Sequence, residues 1–191
     1  PGRSQKRIAD WGARGFGEPL GTMIDIEAGN DVLTLLPVTS GGRMLLAAST
    51  GKGFLCKMED VVAETRKGRG VVTLKPGARL QVIRLAPAET SDEGGAKDQY
   101  VAVVGENRKL VIFPMNEIPE MAKGQGVTLQ RYKDGGLSDA TCFSLSEGLS
   151  WTMGGDSGRT RTETDLTQWR VARGAAGRLP PQGFPRNNRF D

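Results

Sequence analysis

The sequence predicts an all-β fold built from repeated four-stranded units of a propeller-like kind, and three observations predict it. Glycine is abundant, at 27 of 191 residues, while hydrophobic residues make up only 37%, a balance that suits short strands joined by tight turns. A strand–turn–strand pattern occurs twice, each strand apolar enough to be covered on both faces. A basic-glycine element follows each hairpin and recurs through the chain at near-regular spacing.

The first hairpin runs from Gly42-Arg43-Met44-Leu45-Leu46-Ala47-Ala48 through Ser49-Thr50-Gly51 to Lys52-Gly53-Phe54-Leu55-Cys56-Lys57-Met58. The second runs from Gln99-Tyr100-Val101-Ala102-Val103-Val104 through Gly105-Glu106-Asn107-Arg108-Lys109 to Leu110-Val111-Ile112-Phe113-Pro114. Read directly, the two copies superpose at an offset of 56 without a gap. The elements that follow are Arg66-Lys67-Gly68-Arg69-Gly70 and Ala122-Lys123-Gly124-Gln125-Gly126, with further copies at Ala13-Arg14-Gly15-Phe16-Gly17 and Ala172-Arg173-Gly174-Ala175-Ala176. Their central glycines are 53, 56 and 50 residues apart, about the length of a four-stranded propeller blade. After each of the first three comes a β-rich stretch, at 20–26, 71–85 and 127–145. Glycine lets the backbone turn sharply and leaves its amides accessible, so a basic residue beside such a turn belongs on a rim.

These landmarks divide the chain into the end of a truncated unit at 1–40, units at 41–97 and 98–148, and a last unit plus tail at 149–191. The first residue is Pro rather than Met, which reads as an excised or processed fragment. Residues 88–98 read as a mobile loop, 58–66 as one or two helical turns, and the proline-containing 178–191 as an extended tail rather than a strand. No apolar run approaches the roughly 20 residues that span a bilayer.

Charge is unevenly distributed. The net value of +4 resolves into −1 over 1–40, +4 over 41–97, −2 over 98–148 and +3 over 149–191. Between Thr65 and Ala88 six basic residues, Arg66, Lys67, Arg69, Lys75, Arg79 and Arg84, stand without an acid. An anion-binding face leaves this asymmetry, and so does an ordinary solvated surface.

The residue inventory argues against catalysis. There is no histidine, which removes His-based triads, imidazole bases and most zinc sites. Gly155-Asp156-Ser157-Gly158 has the look of a serine nucleophile motif but lacks a histidine base, so a hairpin turn is the better reading. Gly51-Lys52-Gly53 lacks the Ser or Thr of a phosphate-binding loop, and the other Gly-x-Gly elements lack a third glycine. Glu163 and Asp165 stand at strand spacing in an arginine-rich stretch, where ion pairing is commoner than a metal. Arg131-Tyr132 precedes Lys133-Asp134-Gly135-Gly136, a turn context rather than that of a tyrosine nucleophile. Cys56 and Cys142 each sit alone in an apolar run, as buried reduced thiols of a cytosolic protein do.

Two segments, Leu45 to Gly70 and Leu110 to Gly126, resemble blades of the C-terminal β-pinwheel of bacterial type IIA topoisomerase A subunits. The pattern is an apolar strand, a Gly-x-Gly-Phe turn, a second strand, an acid and then an Arg-x-Gly-like element. The closing segments, Arg131 to Gly136, Gly158 to Arg161 and Phe184 to Phe190, resemble topoisomerase IV rather than gyrase. The family's gyrase box belongs to an earlier blade; Arg66 to Gly70 is its nearest look-alike here.

This resemblance implies a partial β-pinwheel that binds and bends duplex DNA along its basic rim, presents a segment to the cleavage core and tunes preference for crossing geometry. Gyrase-type wrapping, or a propeller-like protein scaffold, is the alternative. It implies no catalytic residue and no cofactor in this chain. The tyrosine lies upstream in the parent protein, while ATP and Mg2+ belong to the partner subunit. Implied partners are duplex DNA, the cleavage core and the ATPase subunit, with no membrane, in the nucleoid-containing bacterial cytoplasm. By position in the blade, DNA contact is expected at Lys52, Lys57, Arg66, Lys67 and Arg69, at Arg108, Lys109 and Lys123 in the next copy, and more weakly at Arg79, Arg131 and Lys133.

Overall fold

The computed structural model describes residues 24–88, 97–153 and 158–191. The expected all-β architecture is what forms. Strands β1 (Arg43–Ala48) and β2 (Lys52–Lys57) make the first hairpin, followed by a single helical turn α1 (Met58–Val61) and by β3 (Leu80–Ala86). Strands β4 (Gln99–Gly105) and β5 (Leu110–Pro114) make the second, followed by a 3-10 turn (Met115–Glu117), β6 (Val127–Thr128) and β7 (Leu137–Ser144). A third hairpin joins β8 (Leu149–Thr152) to β9 (Thr160–Glu163). The sheets are ordered β3-β1-β2-β6, β5-β4-β7 and β8-β9. No strand forms over 24–42, although the segment contains several exposed aliphatic residues.

The hairpin register corrects the simple sequence overlay. Ala47 pairs with Gly53 and Val104 with Leu110. Ala47 also pairs with Val82, and Val104 with Asp139, each just before a register shift. Every equivalence therefore requires an offset of 57, whereas Gly68 and Gly124 keep the offset of 56. The difference decides which face is which, because a one-residue slip sends each side chain to the opposite side of a sheet.

At the correct offset the stacking rule is uniform. Leu45, Ala47 and Leu55, on the back of the first sheet, pack against Val101, Val103, Val111 and Phe113, on the front of the second. The back of the second, with Ala102, Val104 and Ile112, packs against Leu149, Trp151, Leu166 and Trp169. The front of the first sheet, Met44, Leu46, Phe54 and Cys56 with Leu80 and Ile83 of β3, is partly covered by Val61, Val71 and Val72. Beside it lies an open groove of about 430 Å3. Central strands thus bury both faces, which is why their sequences read as continuous apolar runs.

The fourth position of each of the first two sheets is filled by chain from beyond the next hairpin. The amide of Leu55 donates to the Pro119 carbonyl (3.0 Å) and that of Met121 to the Leu55 carbonyl (2.8 Å), before β6 pairs with β2 at Val127↔Gly53. Fifty residues on, Ile112 donates to Trp169 (2.8 Å), Val171 to Ile112 (3.1 Å) and Leu110 to Arg178 (2.7 Å). Two straps, 119–129 and 169–178, therefore close the edges of the sheets before them and tie consecutive repeats together. Gly126 makes the first strap possible: its φ is +76° and a Cβ there would collide with the Gly53 carbonyl.

The segment 178–191 forms no strand, as expected, but it is packed rather than splayed into solvent. Phe184 and Phe190 are each 4% exposed, with their rings 5.3 Å apart and Phe184 edge-on to Trp151 at 5.5 Å. Arg84 joins this segment to both sheets. It bonds Asp139 on β7 (3.0 Å) and Asp191 (2.6 Å), while its Nε donates to the Ala140 carbonyl (3.0 Å). These carboxylate contacts hold the Asp191 carboxyl below its usual range and strengthen the Arg84 charge against the opposing effect of burial.

Candidate nucleic-acid interface

Straps bring the basic-glycine elements into a hydrogen-bonded series. Gly124 lies beside the stretch that follows the Arg66–Gly70 element: its amide donates to the Val71 carbonyl, and Thr73 donates to the Gly124 carbonyl, both at 2.9 Å. Gly174 repeats the arrangement one step on, donating to Leu129 (2.9 Å) in the stretch after the Lys123 element. At the other end Asp25, in the stretch after the first element, donates to the Arg66 carbonyl (2.9 Å). Each element is thus anchored to the chain following its predecessor. The middle glycines Gly68, Gly124 and Gly174 have φ of +75°, +143° and +82°, conformations that L side chains resist.

Arg66, Lys67, Arg69 and Lys123 share this strap edge and are all exposed. The Arg66 guanidinium lies 3.9 Å from the Asp25 carboxylate, an exposed pair of little energetic weight. Arg173, which sequence reading did not single out as a contact, continues the series. Its guanidinium is turned into the fold, with Nη1 donating to the Thr128 carbonyl (2.8 Å) and Nε buried without a partner. The cationic edge is therefore richest at its first described element.

A second group gathers where the hairpins turn. The Tyr132 ring fills the space beside both Gly51 and Gly105, where a Cβ would come within 2.6 Å of it. That fixes the loop 131–136 between the two turns and leaves Arg131 and Lys133 exposed. Arg79 is nearby, its amide held by Ser49 Oγ (3.1 Å) and its Nε by Gln81 Oε1 (3.1 Å). Lys52 and Lys109 are half-buried at the same end, the Lys109 carbonyl taking a 2.8 Å bond from the buried Gln130 amide.

Two expected contacts lie elsewhere. Lys57 sits at the opposite end of the hairpin, 3.4 Å from Glu120, which also lies 3.5 Å from Arg43. Arg108 has φ of +60° and points into the protein, where its guanidinium donates to the carbonyls of Pro185 (2.9 Å) and Phe184 (3.3 Å) and to Asn188 Oδ1 (3.1 Å). Position in a turn makes Arg108 and Lys123 look alike in sequence; packing separates them.

The chemical motifs resolve into local structure. Burial, reinforced by Glu106, pushes the Tyr132 hydroxyl well above its ordinary pKa, and its oxygen has no hydrogen-bond partner. A phenolate there is strongly disfavoured. Glu163 Oε1 accepts from the Asp165 amide (3.2 Å), and Asp165 in turn accepts from Thr167 (3.4 Å). Among the described residues no cluster of three His, Cys, Asp or Glu could hold a metal ion, and no helix is long and apolar enough to cross a membrane. Both cysteines are free thiols; burial raises Cys56 and pushes Cys142 up to about 12. The Gly155–Gly158 motif falls outside the described residues except for its last glycine.

Comparison with known proteins agrees with this architecture. The family model for the DNA gyrase C-terminal domain, beta-propeller, matches residues 42–85 and 99–137, the two hairpin repeats. The A subunit of DNA topoisomerase 4 from Rickettsia bellii is 38% identical over 177 residues, covering 93% of this chain and 22% of the relative. Its Caulobacter vibrioides counterpart is 35% identical with the same coverages. The chain spans about a fifth of the length of these relatives. Among solved structures, the Escherichia coli ParC C-terminal domain aligns with a TM-score of 0.72 at 23% identity, over 91% of this chain and 69% of that one. A DNA gyrase A C-terminal domain aligns at 0.61 and 18% identity, over 84% and 52%. Residues 42–85 and 99–137 thus belong to the gyrase A C-terminal β-propeller family, and the chain is similar over most of its length to A subunits of DNA topoisomerase 4.

Proposed function

We propose that the chain binds duplex DNA through the phosphate backbone along its strap edge and bends it. The observation that carries this reading is the coupling of successive basic-glycine elements by backbone hydrogen bonds, which sets Arg66, Lys67 and Arg69 beside Lys123. Such spacing suits a polyanion that runs across several repeats. Base readout is not favoured, since no recognition helix is present among the described residues and the Tyr132 ring at the turn end faces inward. Lys57 and Arg108 take structural roles, through Glu120 and the C-terminal segment.

Within a protein of its relatives' length, the domain presents DNA to the cleavage core and itself carries no catalytic group. ATP and Mg2+ act on the partner subunit, and the assembly works on the bacterial nucleoid. The weaker cationic character of the strap edge beyond Lys123, where Arg173 turns inward, favours a short, bent contact over continuous wrapping.

A salt titration of duplex binding tests the reading. With about 6 phosphates neutralised, log affinity falls against log salt with a slope near −5, and unrelated sequences give the same slope. A slope near zero overturns it and favours a protein-interaction scaffold.

A further inference from the structure

The C-terminal segment is fixed far more closely than its composition suggests. Besides the three Arg108 bonds, the Asn188 side-chain amide donates to the Glu106 carbonyl (3.3 Å), and Ser138 Oγ donates to the Asn188 carbonyl (2.8 Å). The amide of Phe190 donates to Asp139 Oδ2 (2.9 Å), and that of Thr152 to the Phe190 carbonyl (2.8 Å). Asn188 is 8% exposed with φ of +55°, a left-handed conformation that asparagine tolerates better than most residues. Buried Asn188 and the two buried phenylalanines alternate with Arg186 and Arg189, which are exposed and whose guanidinium groups make no hydrogen bond or ion pair among the described residues.

The anchor points locate these arginines. Glu106 is bonded to Gly136 of the Tyr132 loop, and the Ser138 carbonyl accepts from Gln81, two residues from Arg79. The segment therefore docks at the turn end, where Arg79, Arg131 and Lys133 are already exposed.

We infer that the docked segment is a positioning device that makes the turn end a second DNA contact, with Arg186 and Arg189 as phosphate-binding residues beyond the strap edge. This rests on the DNA-binding reading above. Arginine forks match phosphate oxygens, and the exposed placement of Arg186 and Arg189 suits a backbone rather than a small anion in a pocket. With Tyr132 turned inward and Phe184 and Phe190 buried, none of these rings at the turn end offers single-stranded bases a face on which to stack.

The test compares duplex affinity across salt for the wild-type chain, R186E/R189E, N188A and the strap variant R66E/K67E/R69E. Reversing both C-terminal arginines reduces the salt slope by roughly 2 units and weakens binding to unrelated duplexes alike. N188A leaves every charge in place, makes the tail cleavable by trypsin at Arg186 and Arg189, and weakens binding in the same direction. Unchanged affinity of R186E/R189E, with weakened binding by the strap variant, overturns this inference alone. An acidic protein as the partner of this end gives that same result. Unchanged binding by both charge-reversal variants overturns the DNA reading itself. A trypsin-sensitive N188A that binds as wild type removes the positioning role.

Discussion

Reversing Arg66, Lys67 and Arg69 to Glu weakens duplex binding on the order of 100-fold near physiological salt and lowers the salt slope by roughly 3 units. The loss is the same for unrelated duplexes, because phosphate contacts carry no sequence information. All three side chains are exposed, so the fold is little affected: surface substitutions of this kind fall within roughly 0.5 kcal/mol. The Arg66–Asp25 contact adds little to that, at 3.9 Å and with both side chains more than half exposed. Filter binding or fluorescence anisotropy at several salt concentrations measures the effect. A sequence-selective loss would instead mean base contacts.

The second large effect falls on stability. Gly126→Ala destabilises the protein by roughly 3 kcal/mol, from the left-handed backbone and the forced separation of strap from β2. For a chain of this size that lowers Tm by roughly 10 °C. Gly68→Ala provides the contrast. Its φ of +75° is nearly the same as the +76° at Gly126, but no atom lies within 4 Å of an added Cβ, so about 1 kcal/mol is expected. Equal costs at the two sites would mean that the strap does not press on the Gly53 carbonyl. Detaching the strap also displaces Lys123, so Gly126→Ala weakens duplex binding while Gly68→Ala largely spares it.

The central hairpins were legible in the sequence because strands covered on both faces leave continuous apolar runs that little else explains. Their register was less so. Leu45-Leu46 and Val103-Val104 are interchangeable as hydrophobic pairs, and only pairing decides which member faces which sheet. The straps were invisible as straps. Residues 119–129 follow the second hairpin in sequence, yet they close the first sheet, a placement no local propensity encodes.

The candidate site was read in part for the same reason. Basic residues beside glycine turns mark the rim at Lys67, Arg69 and Lys123, where the side chains are exposed. The same signal at Arg108 leads inward, since the segment it binds lies 76 residues away or more in sequence. In 178–191 the prolines and arginines masked two phenylalanines that anchor the segment. The arginines thereby presented could not be placed from their neighbours in sequence.

Cross-linking from the strap edge tests the central claim most directly. Cys56 and Cys142 are buried or nearly so, with raised thiol pKa values, so a photoreactive maleimide label goes selectively to a cysteine introduced as K67C or K123C. Both labelled proteins are expected to capture a duplex on irradiation, and any unrelated duplex competes equally. Absence of capture from both positions, with duplex binding by the labelled proteins intact, would contradict the assignment of the strap edge as the DNA-binding surface.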